Sequence, residues 1–289
     1  MNLRFKFNLA MLVALAVGLL VGSIVLDRVV LDSARGQVLQ NARIMMSAAN
    51  AVRNYTAAEV VPLLPVEHDR KFVPQTIPSY AAQKHFKHVQ AEFAGYSYRE
   101  IALNPTNLSD RAQDWEADII NMFRSDAEKH EFVVERETST GATLYLARPI
   151  VVRQEACLTC HTTPATAPPA MIHDYGSANG FGWKLNETIG AQILAMPMTL
   201  PLKLARTAYW SFLMILGAIF LAIVIVLNVL LHYLVIRPVN RLSAMANGAS
   251  LGEENVETYV KPGKDEISLL SLAFDRMRQS LDHAMAMLK

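Results

Sequence analysis

Cysteine is nearly absent from this 289-residue chain: there are two, both in the stretch "EACLTCHTTP" at positions 155 to 164. No second Cys-x-x-Cys is available to complete a four-thiolate zinc site, and the only close histidine pair, His85 and His88, lies far away in sequence. Charge of either sign is also scarce. The balance of 27 basic against 26 acidic side chains leaves a net charge of +1, which offers no bulk attraction for nucleic acid. No internal repeat or low-complexity tract divides the chain. No glycine-rich nucleotide loop, carboxylate pair or nucleophile with an adjacent base stands out, so no enzymatic mechanism is expected.

Apolar residues, by contrast, make up 52% of the chain. They concentrate in two runs without a full charge, Leu9 to Leu26 and Tyr209 to Ile236. Each is long enough to cross ~30 Å of hydrocarbon at about 1.5 Å per residue. The first exceeds the ~7–15 residue apolar region of a signal peptide and ends without an Ala-x-Ala site, so an uncleaved anchor is expected. Gly18 and Gly22 within it form a small-xxx-small pair suited to helix contact. Arg4 and Lys6 before the first run, and Arg237 and Arg241 after the second, place both termini in the cytoplasm by the positive-inside bias. Tyr209, Trp210 and Tyr233 sit where interfacial aromatics belong. The expected organisation is a cytoplasmic tip and first transmembrane helix (1–30), an extracytoplasmic domain (31–205), a second transmembrane helix (206–236) and a cytoplasmic segment (237–289).

The middle segment reads as α+β. Val38, Ala42, Met45, Ala49, Val52 and Thr56 repeat at helical spacing, so the first helix should continue out of the membrane with a narrow seam. Pro62, Pro65, Pro74 and Pro78 interrupt it. A second helix over "SYAAQKHFKHVQAEFAG" carries Tyr80, Phe86, Val89 and Phe93 on overlapping faces and stops at Gly95. After the loop "LNPTNLSD", Ser109 or Asp110 is available to cap a helix over "RAQDWEADIINMFRSD". The runs "EFVVERE" and "ATLYLARPIVV", joined at "TSTG", read as a hairpin, and "IGAQILAMPM" as a last strand.

Cys157-Leu158-Thr159-Cys160-His161 matches the attachment pattern of c-type haem. Two intervening residues let both sulfurs add to vinyl groups of one macrocycle while the next imidazole turns under the iron. A disulfide and half of a zinc site are the competing readings; a thioredoxin-type dithiol would open a helix in a βαβ unit, which the pattern lacks. One covalent haem c suits a sensor or a simple carrier. It also agrees with the topology, because such haem is attached outside a bacterial inner membrane.

"ALNPTN" at 102 to 107, Trp115-Glu116, "LARPIVV" running into Cys157, and "CLTCH" together resemble the single-haem c-type sensor family, extracytoplasmic domains with a PAS-like fold. The resemblance covers residues 50 to 198. It implies Cys157 and Cys160 as thioether anchors and His161 as proximal iron ligand. Relatives usually carry an Arg before the Asn-Pro loop, where this chain has Leu103, so Arg99, Arg148 or Arg53 is expected to meet a haem propionate instead. Some relatives use a distal cysteine that this chain does not have to spare. Tyr80, His85 and His88 are then the candidate sixth ligands, with Met45, Met171 and His173 behind them, and an open sixth position would favour a diatomic gas.

Beyond the second run, Val239, Leu242 and Met245 or Ala246 begin a short amphipathic helix after Pro238, and Gly248, Gly252, Pro262 and Gly263 bracket a connector. Ile267, Leu270, Phe274, Met277, Leu281, Ala284 and Leu288 then run in 3-4 alternation, the seam of a parallel coiled coil. "DEISLLSLAFDRM" resembles the HAMP signal-relay domain, which implies a homodimer and a cytoplasmic kinase, cyclase or chemotaxis-type output on a separate partner or a longer form. The expected function is a non-enzymatic inner-membrane sensor that relays haem redox or gas state to the cytoplasm. A membrane-anchored cytochrome for electron transfer is the alternative.

Overall fold

A computed structural model describes residues 3–63, 71–251, 253 and 258–288. Pro65 and Gly252, invoked above as breakers, lie outside the described residues. The chain divides into two compact units, Val25–Tyr209 and Met1–Ile24 with Trp210–Lys289.

In the first unit the chain is α+β. Helix α1 (Leu3–Tyr55) enters it without a break and ends in a π-turn (Thr56–Val60) followed by a 3-10 turn (Val61–Leu63) at the first proline. Its buried seam is Ala34, Val38, Ala42, Met46 and Ala49, so Met46 takes the core place expected of Met45, which packs at the margin. The 3.6-residue period of a straight helix, rather than a 3.5 repeat, accounts for that drift.

The other elements are α2 (Pro78–Glu92), β1 (Ser97–Ala102), α3 (Asp114–Ser125), β2 (Phe132–Thr138), β3 (Gly141–Val151), α4 (Ala156–His161), α5 (Pro169–Tyr175) and β4 (Thr188–Pro197). Strand β1 and helix α5 were not legible in the sequence. The expected helix after the Asn-Pro loop starts later than Ser109 and Asp110, which instead form a 3-10 turn (Leu108–Asp110). Gln113 caps α3, its backbone N–H donating to Glu116 Oε2 at 2.8 Å, so the first turn of the helix supplies its own acceptor. Phe93 falls beyond the last turn of α2 and is exposed rather than packed.

The four strands form one antiparallel sheet in the order β1-β4-β3-β2. Strand β4 is central, which explains its run of buried residues from Gly190 to Met196. One face packs on α1 and α2 through Tyr98, Leu144, Leu146, Leu194, Met196 and Phe86. The other packs on α3 through Ile101, Ala147, Ile193, Ile120 and Phe123. Leu146, Leu194 and Met46 are fully buried, and each such side chain contributes roughly 1.5–3 kcal/mol.

The second unit contains α6 (Thr199–Leu230) from Trp210 onward, a π-turn (Leu231–Ile236), α7 (Arg237–Ser250) and α8 (Glu266–Leu288). The apolar stretches of α1 and α6 are long and apolar enough to cross a membrane. They lie antiparallel. A Cβ on Gly18 would stand 3.4 Å from Phe220 Cζ and one on Gly22 3.5 Å from Leu216 Cδ2, while Arg4 Nη2 meets His232 Nδ1 at 2.5 Å. The glycine pair therefore lies on the contact face. Pro238 does not start a separate helix: it is the second residue of α7, and the π-turn just before it joins α6 to α7.

Helix α7 meets α8 and buries Leu242, Met245 and Gly248, while Ser268 and Ser271 of α8 are buried against the preceding connector through Asp265 and the Lys261 N–H. In contrast, Leu270, Met277 and Leu281 of the expected seam are 44%, 59% and 47% exposed in the single chain.

Candidate functional site

Strand β3 ends at Val151, and five residues later α4 carries both cysteines and His161. The segment is one and a half turns of helix, which puts Cys157, Cys160 and His161 at i, i+3 and i+4, on one side. The two thiols are free and half-buried, and burial pushes the Cys160 thiol up, with the neighbouring Cys157 adding to it. Among the described residues no group of three or more His, Cys, Asp and Glu converges as a metal site.

His161 is held from two sides. Its Nδ1 stands 2.7 Å from the Gly180 carbonyl oxygen. A carbonyl only accepts, so Nδ1 carries the proton and Nε2 keeps its lone pair. Burial lowers the imidazole pKa below the usual histidine value, outweighing the Gly180 hydrogen bond, and favours the neutral form. The ring lies flat on Trp183, with centroids 3.8 Å apart and planes 11° apart. The loop supplying both contacts closes on α4 through backbone bonds from Gly182 N to Thr162 O (3.0 Å) and Trp183 N to His161 O (3.2 Å).

The Asn-Pro loop is the third wall. Asn104 Oδ1 accepts the Gly180 N–H at 3.3 Å, and Thr106 packs beside the same residue. Gly180 has φ +84°, and a Cβ there would fall 2.0 Å from Thr106 Oγ1 and 2.8 Å from its Cα. Only glycine allows this close approach. The Gly180 carbonyl thus fixes the ring through Nδ1 and leaves Nε2 able to bind another group. Gly180, Trp183 and Thr106 were missed in the sequence; "NGFGW" signals a turn but not which ring it will cover.

The other candidates spread over the unit. Tyr80 is half-buried on α2, and the Tyr175 ring of α5 meets Phe72 edge-on at 5.3 Å. His85 and His88 are exposed on the same helix, Met171 is buried, and exposed His173 pairs with Asp174 at 2.9 Å. All three candidate arginines already have carboxylate partners. Arg99 meets Glu116 at 2.9 Å, Arg148 meets Glu131 at 2.9 Å, and Arg53 pairs with buried Glu100.

The profile of the Tll0287-like family matches residues 31–197. Among solved structures, that of the cyanobacterial heme-protein Tll0287 is similar over 56% of this chain and 95% of its own, at 16% identity and a TM-score of 0.44. No curated protein matches the chain.

Proposed function

The chain belongs to the Tll0287-like family, and from that premise we propose that it is a two-pass bacterial inner-membrane sensor carrying one covalent haem c in a periplasmic, PAS-like domain. The observation that carries this reading is the state of His161: Nδ1 donates to the Gly180 carbonyl, Nε2 keeps its lone pair, and two free thiols precede it on the same face of α4. The donor set fits the group: Cys157 and Cys160 would form the thioether bonds and His161 would bind the iron. When bound, the haem supplies a one-electron couple and an iron centre able to take a small ligand.

The chain's own residues orient that centre and connect it to the rest of the molecule. Asn104, Gly180 and Trp183 hold the imidazole ring. Strand β4 ends at Pro197, one residue before α6, while α1 is itself continuous with the first apolar run, so both exits toward the membrane start from the packed domain. Helices α7 and α8 act as a HAMP-type relay to a cytoplasmic partner, with a second copy covering Leu270, Met277 and Leu281, and the protein is a transducer rather than an enzyme.

The test is expression with a c-type maturation system, followed by haem staining on a denaturing gel and the reduced pyridine haemochrome spectrum. Wild type should retain haem covalently and the Cys157→Ala/Cys160→Ala variant should lose it. Wild-type protein without covalent haem would sink the reading. Carbon monoxide or nitric oxide binding to the reduced protein would favour gas sensing, and an indifferent spectrum redox sensing. Phe274→Asp should abolish the cytoplasmic output while leaving haem reduction intact.

A further inference from the structure

Helix α3 covers only part of its face of the sheet. Side chains alternate along β1, so Tyr98 and Glu100 face α1 while Ser97, Arg99 and Ile101 face α3. Ile119, Ile120 and Phe123 of α3 fill the Ile101 end. Toward the other end the register sets Ser97, Ala195 and Tyr145 in one row. The small Ala195 in its middle leaves room for a cavity of about 160 Å³, lined by Ser97, Arg99, Tyr145 and Ile193 of the sheet and by Gln113, Trp115 and Glu116 at the start of α3. The acceptors in this lining are already used. Glu116, 2% exposed, receives Arg99 Nη1 on Oε1 at 2.9 Å and the Gln113 N–H on Oε2 at 2.8 Å, and Gln113 Oε1 receives the Trp115 indole N–H at 3.1 Å. The donors are not. The Ser97 and Tyr145 hydroxyls, the Gln113 side-chain N–H groups and the other guanidinium N–H groups of Arg99 have no partner among the described residues. Charge follows the same pattern: Arg99 offsets Glu116, while Arg136, 4.4 Å over the Trp115 ring, has no carboxylate partner among the described residues.

We propose that this cavity binds a small organic carboxylate with a planar or apolar body. A lining with spare donors and one uncompensated cation selects an anionic acceptor, and a guanidinium fixed by Glu116 on one side offers its remaining N–H groups to a carboxylate without further ordering. Trp115 and Tyr145, edge-on with centroids 5.0 Å apart, and Ile193 supply the apolar walls that an inorganic anion would leave unused. The volume equals roughly five waters at about 30 Å³ each, which suits an acid of one ring or a short chain. This inference is independent of the haem reading: Tyr145 lies six residues before the end of β3, about 20 Å from it at ~3.3 Å per residue, and α4 follows that end.

The experiment is isothermal titration calorimetry of detergent-purified full-length protein with sodium benzoate, sodium butyrate, neutral benzamide and inorganic phosphate. Benzoate or butyrate should bind saturably at one site, and benzamide and phosphate at least about tenfold more weakly, the scale of one lost hydrogen bond to a charged group. Arg99→Lys keeps a cation beside Glu116 but loses the planar fork, and should weaken binding about tenfold. Ser97→Ala and Arg136→Gln leave the Arg99–Glu116 pair intact, so they guard against a folding defect; each should weaken binding several-fold. Arg35→Gln, at an exposed pair with Glu135, should change nothing. No saturable binding of either carboxylate to folded wild type would overturn the proposal, as would equal affinity for benzoate and benzamide. Unchanged benzoate affinity in Arg99→Lys, Ser97→Ala and Arg136→Gln would show binding elsewhere and overturn the site.

Discussion

Helix α1 passes through two surroundings without a change in backbone. In its first part Leu12, Val13, Val17, Leu20, Val21 and Ile24 are all at least 50% exposed, so the surface is apolar on every side. In its last part the apolar residues shrink to a stripe of Ala34, Val38, Ala42, Met46 and Ala49, buried on the sheet, while Arg35, Arg43 and Arg53 flank it and reach carboxylates on β2, β1 and the segment before β2. A helix apolar all round asks for a hydrocarbon solvent, and one with a stripe asks for a protein partner. The difference is one of arrangement as well as composition: in the last part paired arginines line a buried apolar stripe.

The largest effect that sharpens this contrast is expected at Met46. Met46→Ala should cost roughly 2–5 kcal/mol of domain stability, because a fully buried side chain leaves a cavity, whereas exposed Ile44→Ala, two residues away, should stay within about 0.5 kcal/mol. Chemical unfolding of the full chain in detergent reads both. Equal losses would mean that the stripe does not define the packed face.

A smaller effect of opposite sign is expected at Gly36, where nothing lies within 4 Å of an added Cβ. Gly36→Ala should stabilise by about 0.4–1 kcal/mol through helix propensity, measured in the same unfolding curve. A loss there would reveal a partner on that side of the helix.

Acid titration probes the flanking pairs. Burial would raise the Glu131 pKa, but hydrogen bonds from Arg43 and Arg148 outweigh it and hold the carboxyl below its ordinary range. A depressed carboxylate stabilises fully above its unfolded value, about 4.3, and loses that contribution as pH falls through the folded value. The stability gap between wild type and Arg43→Gln should therefore be full at neutral pH and shrink below about pH 4.3. A gap independent of pH would show that Arg43 acts through packing alone. Least of all should change with Leu12→Ala, which is expected to leave domain unfolding untouched, as its side chain lies in the all-round apolar part.

The legible features of the sequence were those encoded locally. The β2–β3 hairpin followed from alternating runs about "TSTG", and α2 from its apolar spacing and the proline at its start. Strand β1, "SYREIA", escaped because its inward positions include Glu100, whose polarity hid the alternation. That glutamate is tolerable inside only because Arg53, 47 residues earlier, meets it there. Likewise Ser109 and Asp110 were reasonable caps by type, and lost to a Gln113–Glu116 pair set by where α3 packs.

Sequence alone determined the two apolar runs and the Cys157, Cys160, His161 triad, because solvent preference is compositional and the triad's spacing is covalent. Tertiary structure decided which nitrogen of His161 keeps its lone pair, through a carbonyl 19 residues away, and which arginine meets buried Glu100, through the packing of α1 on the sheet. Those outcomes depend on loop closure and on the burial of groups that must find partners, and neither is written in the spacing of neighbouring residues.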